Sequence, residues 1–103
     1  MKEISYREEV GFDVVAKVIS QQGFCGAGYK VGDEIHFRGH CVEGKACYHV
    51  LYSVLPKIFA LRYGAEFPWL EDPDTTWHPC PDVHNPVIFE IKRIRINEDD
   101  PNK

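Results

Sequence analysis

The residues of this chain with the widest chemical reach are four cysteines, Cys25, Cys41, Cys47 and Cys80, and five histidines, His36, His40, His49, His78 and His84. Thiolates and imidazoles are the ligands of zinc and of iron–sulfur clusters, and a thiolate is also a nucleophile and a redox centre. The local groupings are His40-Cys41, Cys47-x-His49 and His78-x-Cys80, with His84 four residues beyond Cys80. None is a Cys-x-x-Cys knuckle, the spacing that lets one turn offer two sulfurs to one ion, so a closed structural zinc site has little support. The plain alternative is that Cys47 fills core as a small hydrophobe and the others are incidental.

The contexts of the cysteines differ. Cys25 sits in Gly23-Phe24-Cys25-Gly26-Ala27-Gly28-Tyr29-Lys30-Val31-Gly32-Asp33, where four glycines let the backbone turn tightly and aim N–H groups at a sulfur, with Lys30 close by. Cys47 lies near an expected helix N-terminus, which carries roughly half a positive charge. Cys80 is braced between Pro79 and Pro81. Tyr29, His49 and His78 could donate hydrogen bonds around such a site. Glu66, Glu71, Asp72 and Asp74 read most simply as a solvated loop, because charged side chains are mostly exposed. Trp69 and Trp77, with Phe67, could either seal a small core or form a partner surface. The chain has no Gly-x-Gly-x-x-Gly, phosphate loop, Gly-x-Ser-x-Gly or His-Glu-x-x-His, so nucleotide, serine-hydrolase and zincin chemistries lack support and no enzyme class is indicated.

The elements that must position these residues follow from periodicity. Phe12, Val14, Ala16 and Val18 alternate, which predicts a strand over 12–19, with Val15 and Ile19 suggesting some cover on its second face. Glu34–Arg38 alternates as a short strand. Over residues 45–63, Cys47, Val50, Leu51, Val54, Leu55, Ile58 and Leu61 recur at spacings of three and four, an apolar helical stripe. Val50, Val54, Ile58 and Leu61 are expected to be buried. Pro56 lies inside the stripe, predicting a kink or break near Tyr52–Leu55, and Gly64 is placed to end the helix. Thr75–His78 reads as a short strand. Val87–Ile96 is the clearest strand, expected to be central or nearly so. Its apolar parity shifts from Phe89 and Ile91 to Ile94 and Ile96, which predicts a bulge near Lys92–Arg93. The fold class is therefore α+β: a small antiparallel or mixed β-sheet with one bent helix or two short helices on one face.

The 103 residues make one domain, with an ordered core at about 10–96 and a polar tail at 97–103. Twelve basic against sixteen acidic side chains, net −4, argue against a nucleic-acid backbone as partner. No apolar run approaches the ~20 residues that span a bilayer. The first nine residues lack the apolar core of a secretory signal, so the expected location is cytoplasmic. Four cysteines fall below the roughly 8–10% of a disulfide scaffold. A homo-oligomer or a protein partner is compatible with this composition.

Residues Cys25-Gly26-Ala27-Gly28-Tyr29-Lys30-Val31-Gly32-Asp33 resemble the Cys-x-x-Gly-His-Lys-x-Gly-Asp signature of a small family of uncharacterised proteins, about as long as this chain and mostly from anaerobic bacteria and archaea. A second block, Cys47 followed by Leu55-Pro56-Lys57-Ile58-Phe59-Ala60-Leu61-Arg62-Tyr63-Gly64, and a third, Cys80-Pro81-Asp82 running into Asn85-Pro86-Val87-Ile88-Phe89-Glu90-Ile91, are similar to later parts of that family. Tyr29 departs from the pattern, standing where the family favours His. The resemblance spans about residues 12–96 and implies that Cys25, Cys47 and Cys80 belong together, with Cys41 extra. It implies no established activity. The expectation is thus a thiolate-based metal-binding or redox site formed by Cys25, Cys47 and Cys80, with zinc or an iron–sulfur cluster as the metals such a set would suit. The alternative is a non-catalytic ligand- or protein-binding accessory module that uses the aromatic loop 67–77.

Overall fold

In the computed structural model, which describes residues 11–95, five strands and one helix follow in the order β1 (Asp13–Gln21), β2 (Glu34–Arg38), β3 (Cys41–Glu43), α1 (Tyr48–Arg62), β4 (Thr75–Pro79) and β5 (Val87–Ile94). The sheet is antiparallel throughout, with strand order β3-β2-β1-β5-β4. The architecture is α+β, as the alternation of periods predicts. The long strand β5 lies one place from the centre, between β1 and β4.

One face of the sheet carries Val14, Ala16, Val18, Ile35, Phe37, Phe89 and Ile91, all buried, and α1 covers it with Val50, Val54, Ile58 and Leu61. These four helical residues are the ones that the spacing of three and four selects. Each such side chain, fully buried, contributes roughly 1.5–3 kcal/mol of transfer free energy. The opposite face is more open than the sequence suggested. Ile19 there is 41% exposed, and Lys17, Lys92 and Ile94 are exposed as well.

The break that Pro56 suggested near Tyr52–Leu55 does not occur, and the helix runs unbroken from Tyr48 to Arg62. Proline supplies no N–H, so the carbonyl of Tyr52 loses its helical partner. Tyr52 is 87% exposed, so this carbonyl belongs to the outer side of the helix and costs less than a buried orphan would. The C-terminus closes as expected on Gly64 (φ +93°), which permits the left-handed turn. Its N–H donates to the Leu61 carbonyl at 3.2 Å and that of Ala65 to Ala60 at 2.9 Å, the paired bonds of a Schellman motif.

The expected bulge needs correction, and one strand lies where none was expected. Pairing between β1 and β5 stays in step from Asp13–Ile94 to Val18–Phe89, so there is no bulge at Lys92–Arg93, and Ile94 points to the open face. Ile96 lies outside the described residues. The inward position that parity would deny to a charged residue is filled by Arg93, whose side chain is fully buried. The irregularity lies instead in β1, between Val18 and Ser20. The three-residue strand β3 is the second departure. All of its residues are exposed, so it has no burial pattern to read.

Arg93 explains its own position. Its Nε donates to Asp74 Oδ1 at 2.9 Å, Nη1 to the carbonyls of Leu61 and Ala65 at 2.9 Å each, and Nη2 to the Pro73 carbonyl at 2.8 Å. A guanidinium is the one side chain with enough fixed donors to tie a helix C-terminus, the following loop and a strand together. Asp74 also receives Arg95 Nε at 2.8 Å. The acidic loop is therefore more than a solvated surface. Asp72 likewise accepts from the Asp74 N–H and the Thr75 hydroxyl, holding the entry into β4.

Candidate functional site: a cavity lined by three cysteines

The sheet and helix bring three separate segments to one end of the molecule. The first is the glycine-rich turn after β1. Its N–H at Gly28 closes onto the Cys25 carbonyl at 2.9 Å, and Cys25 itself packs partly against the core. The second is the start of α1, where Cys47 is the N-cap residue, extended at φ −65° and ψ 128°, with its carbonyl accepting the Leu51 N–H at 2.9 Å. Its side chain makes no capping hydrogen bond, and the first turn contains no acidic residue. The positive end of the helix thus faces this region with no acidic residue in its own first turn to offset it.

The third segment is the connection from β4 to β5. Cys80 donates its N–H to the Val87 carbonyl at 2.8 Å, and its sulfur accepts the Val87 N–H at 3.3 Å. Asp82 organises the intervening turn by accepting from the backbone of His84 and Asn85 and from the Asn85 amide. Those bonds, led by the Asn85 amide, hold its carboxyl below the ordinary carboxylate range. Asn85 Oδ1 in turn accepts the Phe24 N–H at 2.8 Å, which clasps the Cys80 loop to the Cys25 turn. Gly23 is required at this clasp. It has φ +73°, and a Cβ there would run into the Asn85 amide.

Cys25, Cys47 and Cys80 all line the resulting cavity of about 610 Å³. Each is half-buried and each is a free thiol. Ala27, Ala46, Val50 and Val87 make its wall largely apolar, and Lys45, His49 and Asp82 place charge or titratable groups at it. Cys41 is exposed on β3 and lies instead in a separate groove beside Phe37 and Val42. Among the described residues, no three of His, Cys, Asp and Glu gather closely enough to hold one metal ion.

Tyr29 is the hinge of this arrangement. Its hydroxyl donates to the Lys45 carbonyl at 2.7 Å and accepts the Cys47 N–H at 2.7 Å, while its ring, 3% exposed, meets Phe89 edge to face. Burial, aided by the neighbouring Cys47 and Cys25 sulfurs, raises its ionisation above the usual phenol range. His49 lines the cavity and stacks on Tyr48 with ring centres 4.6 Å apart. His78 is elsewhere. Its Nε2 lies 2.9 Å from the Ser53 hydroxyl on the core side of β4, and burial, with Lys57 nearby, lowers its basicity. It therefore does not line the cavity.

His36 pairs with Glu34 at 2.8 Å on the open sheet face, and His40 lines the Cys41 groove. Phe67 packs partly against the core and stacks on Trp69, but Trp69 itself is 74% exposed and Trp77 48%, so the tryptophans do not seal the core. Asn85 and Lys45 were not singled out by sequence reasoning. The Asp82-x-x-Asn85-Pro86 turn was the signal available for Asn85.

Fold and site together define a small α+β domain built around a three-thiol cavity. Among known proteins, no family model matches the chain, and neither a curated protein nor a solved structure does. Among the described residues, no helix is long and apolar enough to cross a membrane.

Proposed function

We propose that the cavity is a thiol-exchange site for small disulfides. The observation that carries this reading is the convergence of Cys25, Cys47 and Cys80, from three distant segments, on one cavity that excludes Cys41. The three sequence blocks that resemble the uncharacterised family supply the same three cysteines. A redox role is preferred over a metal centre because no three ligands gather about a single point among the described residues. In the reaction, a cavity thiol loses its proton to solvent and its sulfur attacks one sulfur of a low-molecular-weight disulfide. The S–S bond of the reagent breaks, a new S–S bond joins protein and reagent, and the released thiolate takes up a proton. Cys47 stands at the helix N-terminus, and the Cys80 sulfur accepts the Val87 N–H at 3.3 Å while facing the Asn85 carbonyl at 3.9 Å.

The test is incubation of the reduced chain with 2-hydroxyethyl disulfide, followed by peptide mass spectrometry. The expected result is faster mixed-disulfide formation at one of Cys25, Cys47 and Cys80 than at Cys41, despite the greater exposure of Cys41. Modification confined to Cys41 would reject the reading. If protein purified without oxygen instead carries stoichiometric zinc or iron that is lost in all three Cys→Ser variants, the metal reading replaces it. The accessory-module reading rests on a different observation, the exposed Trp69 and Trp77 beside the acidic loop. It predicts that thiol substitutions leave function untouched while Trp69→Ala abolishes partner binding.

A further inference from the structure

A surface helix normally turns charged or polar side chains to water. The outward side of α1 instead carries Tyr48, Tyr52, Pro56, Phe59 and Tyr63, without one charged residue in that row. The four aromatic residues are 58–87% exposed. They lie directly opposite Val50, Val54, Ile58 and Leu61, so the helix is apolar on both sides, a pattern expected of a buried helix.

We propose that this row is the dimer interface between two copies of the chain, packed as antiparallel helices about a two-fold axis near Pro56. The proposal is independent of the thiol-exchange reading. Three observations favour a second copy over another occupant. First, the row is nearly palindromic, with spacings of four, four, three and four residues. A two-fold axis at its centre sets Tyr48 against the partner's Tyr63 and Tyr52 against the partner's Phe59, the self-complementarity an isologous contact needs. Second, a row without charge brings no like charges together when it meets itself, whereas charged residues are what usually prevents such pairing.

The third observation is area. Aromatic side chains bury roughly 150–250 Å² each, so four that are more than half exposed offer on the order of 500 Å². Leu55 and the exposed Val42, which share a groove with Phe59 and Tyr63, bring the face toward the roughly 800 Å² per partner of a stable interface. In this arrangement the partner's Tyr63 stands beside Tyr48, which lines the three-thiol cavity. Each copy would then contribute to the rim of the other's cavity.

The experiment is sedimentation equilibrium of the full chain between about 1 and 100 µM, with circular dichroism to check folding. The wild type should be dimeric, and Tyr52→Glu, at a position 87% exposed among the described residues, should weaken association at least about 100-fold with its spectrum unchanged. Tyr48→Lys and Tyr63→Glu should each weaken the dimer, and the double variant should recover at least about 10-fold, because antiparallel packing sets each lysine against a glutamate. A monomeric wild type at 100 µM overturns the proposal, as when the chain's own ends cover the row. A dimer indifferent to Tyr52→Glu overturns it too, and failure of the double variant to recover overturns the antiparallel two-fold.

Discussion

Replacing Arg93 by methionine should destabilise the fold by about 3–5 kcal/mol, the loss typical of breaking a buried ionic network from one side. The cost arises chiefly from what is left behind. The carbonyls of Ala65 and Pro73 lose this donor, at roughly 1–3 kcal/mol for each one that water cannot reach, while that of Leu61 keeps the Gly64 N–H. Asp74 is 27% exposed and keeps Arg95, so its share is smaller. Against a total stability of about 5–15 kcal/mol for such a domain, the thermal midpoint should fall by at least about 12 °C. Arg93→Lys should recover less than half, since an ammonium cannot reach all four acceptors at once. A loss below about 1 kcal/mol in urea unfolding would contradict the role assigned to Arg93.

The same network sets an acid limit. Hydrogen bonding to Arg95 is the largest influence holding the Asp74 carboxyl below its ordinary value. A lowered carboxyl in the folded chain stabilises it fully above the unfolded value of about 3.9, and that contribution disappears as pH falls through the folded value. Acid unfolding should therefore steepen below about pH 4, and Asp74→Asn should flatten that limb.

The second large effect is expected at Tyr29. Tyr29→Phe keeps the ring on Phe89 but leaves the Lys45 carbonyl and the Cys47 N–H without their shared partner, a cost of about 1–3 kcal/mol. It should also free the start of α1 from the glycine-rich turn, so that Cys25 and Cys47 react more alike with a small alkylating reagent. Because burial raises the ionisation of Tyr29, its contribution holds below about pH 10 and is lost as pH rises through the folded value. The variant should thus show a shallower loss of stability in alkali. Unchanged stability together with unchanged thiol reactivity would show that the hydroxyl is not the hinge.

What could be read from residue order and what could not divide along physical lines. The buried row of α1 was legible because apolar residues at spacings of three and four have one geometric solution. Strand β1, β2 and β5 were legible by alternation, and β4 by its short β-prone run. The bulge was misplaced because alternation treats arginine as outward-facing, and nothing local announces that three distant carbonyls await Arg93. Strand β3 was invisible because it buries nothing. At the cavity, Cys25 and Cys80 could be singled out from glycine and proline neighbours, and Cys47 from the expected helix start. The clasp by Asn85 and the hinge at Tyr29 are long-range contacts, separated by 61 and 18 residues, that no local pattern encodes. His78 was drawn toward the site by its closeness to Cys80 in sequence, yet strand alternation turns it to the core side and onto Ser53.

If Cys25, Cys47 and Cys80 share one cavity and Cys41 does not, adduct stoichiometry on the native, reduced chain will show it. A maleimide large enough to fill much of the cavity should add at most once among the three cavity thiols, since the first adduct occupies the space the others need. Cys41 should react independently. Intact-mass analysis should therefore stop at two adducts on the folded chain and reach four after unfolding. Replacing the reacting cavity cysteine by serine should pass the single adduct to a neighbour rather than abolish it. Four adducts on a chain that remains folded, with each thiol reacting at its own rate, would mean that the three thiols do not share one space.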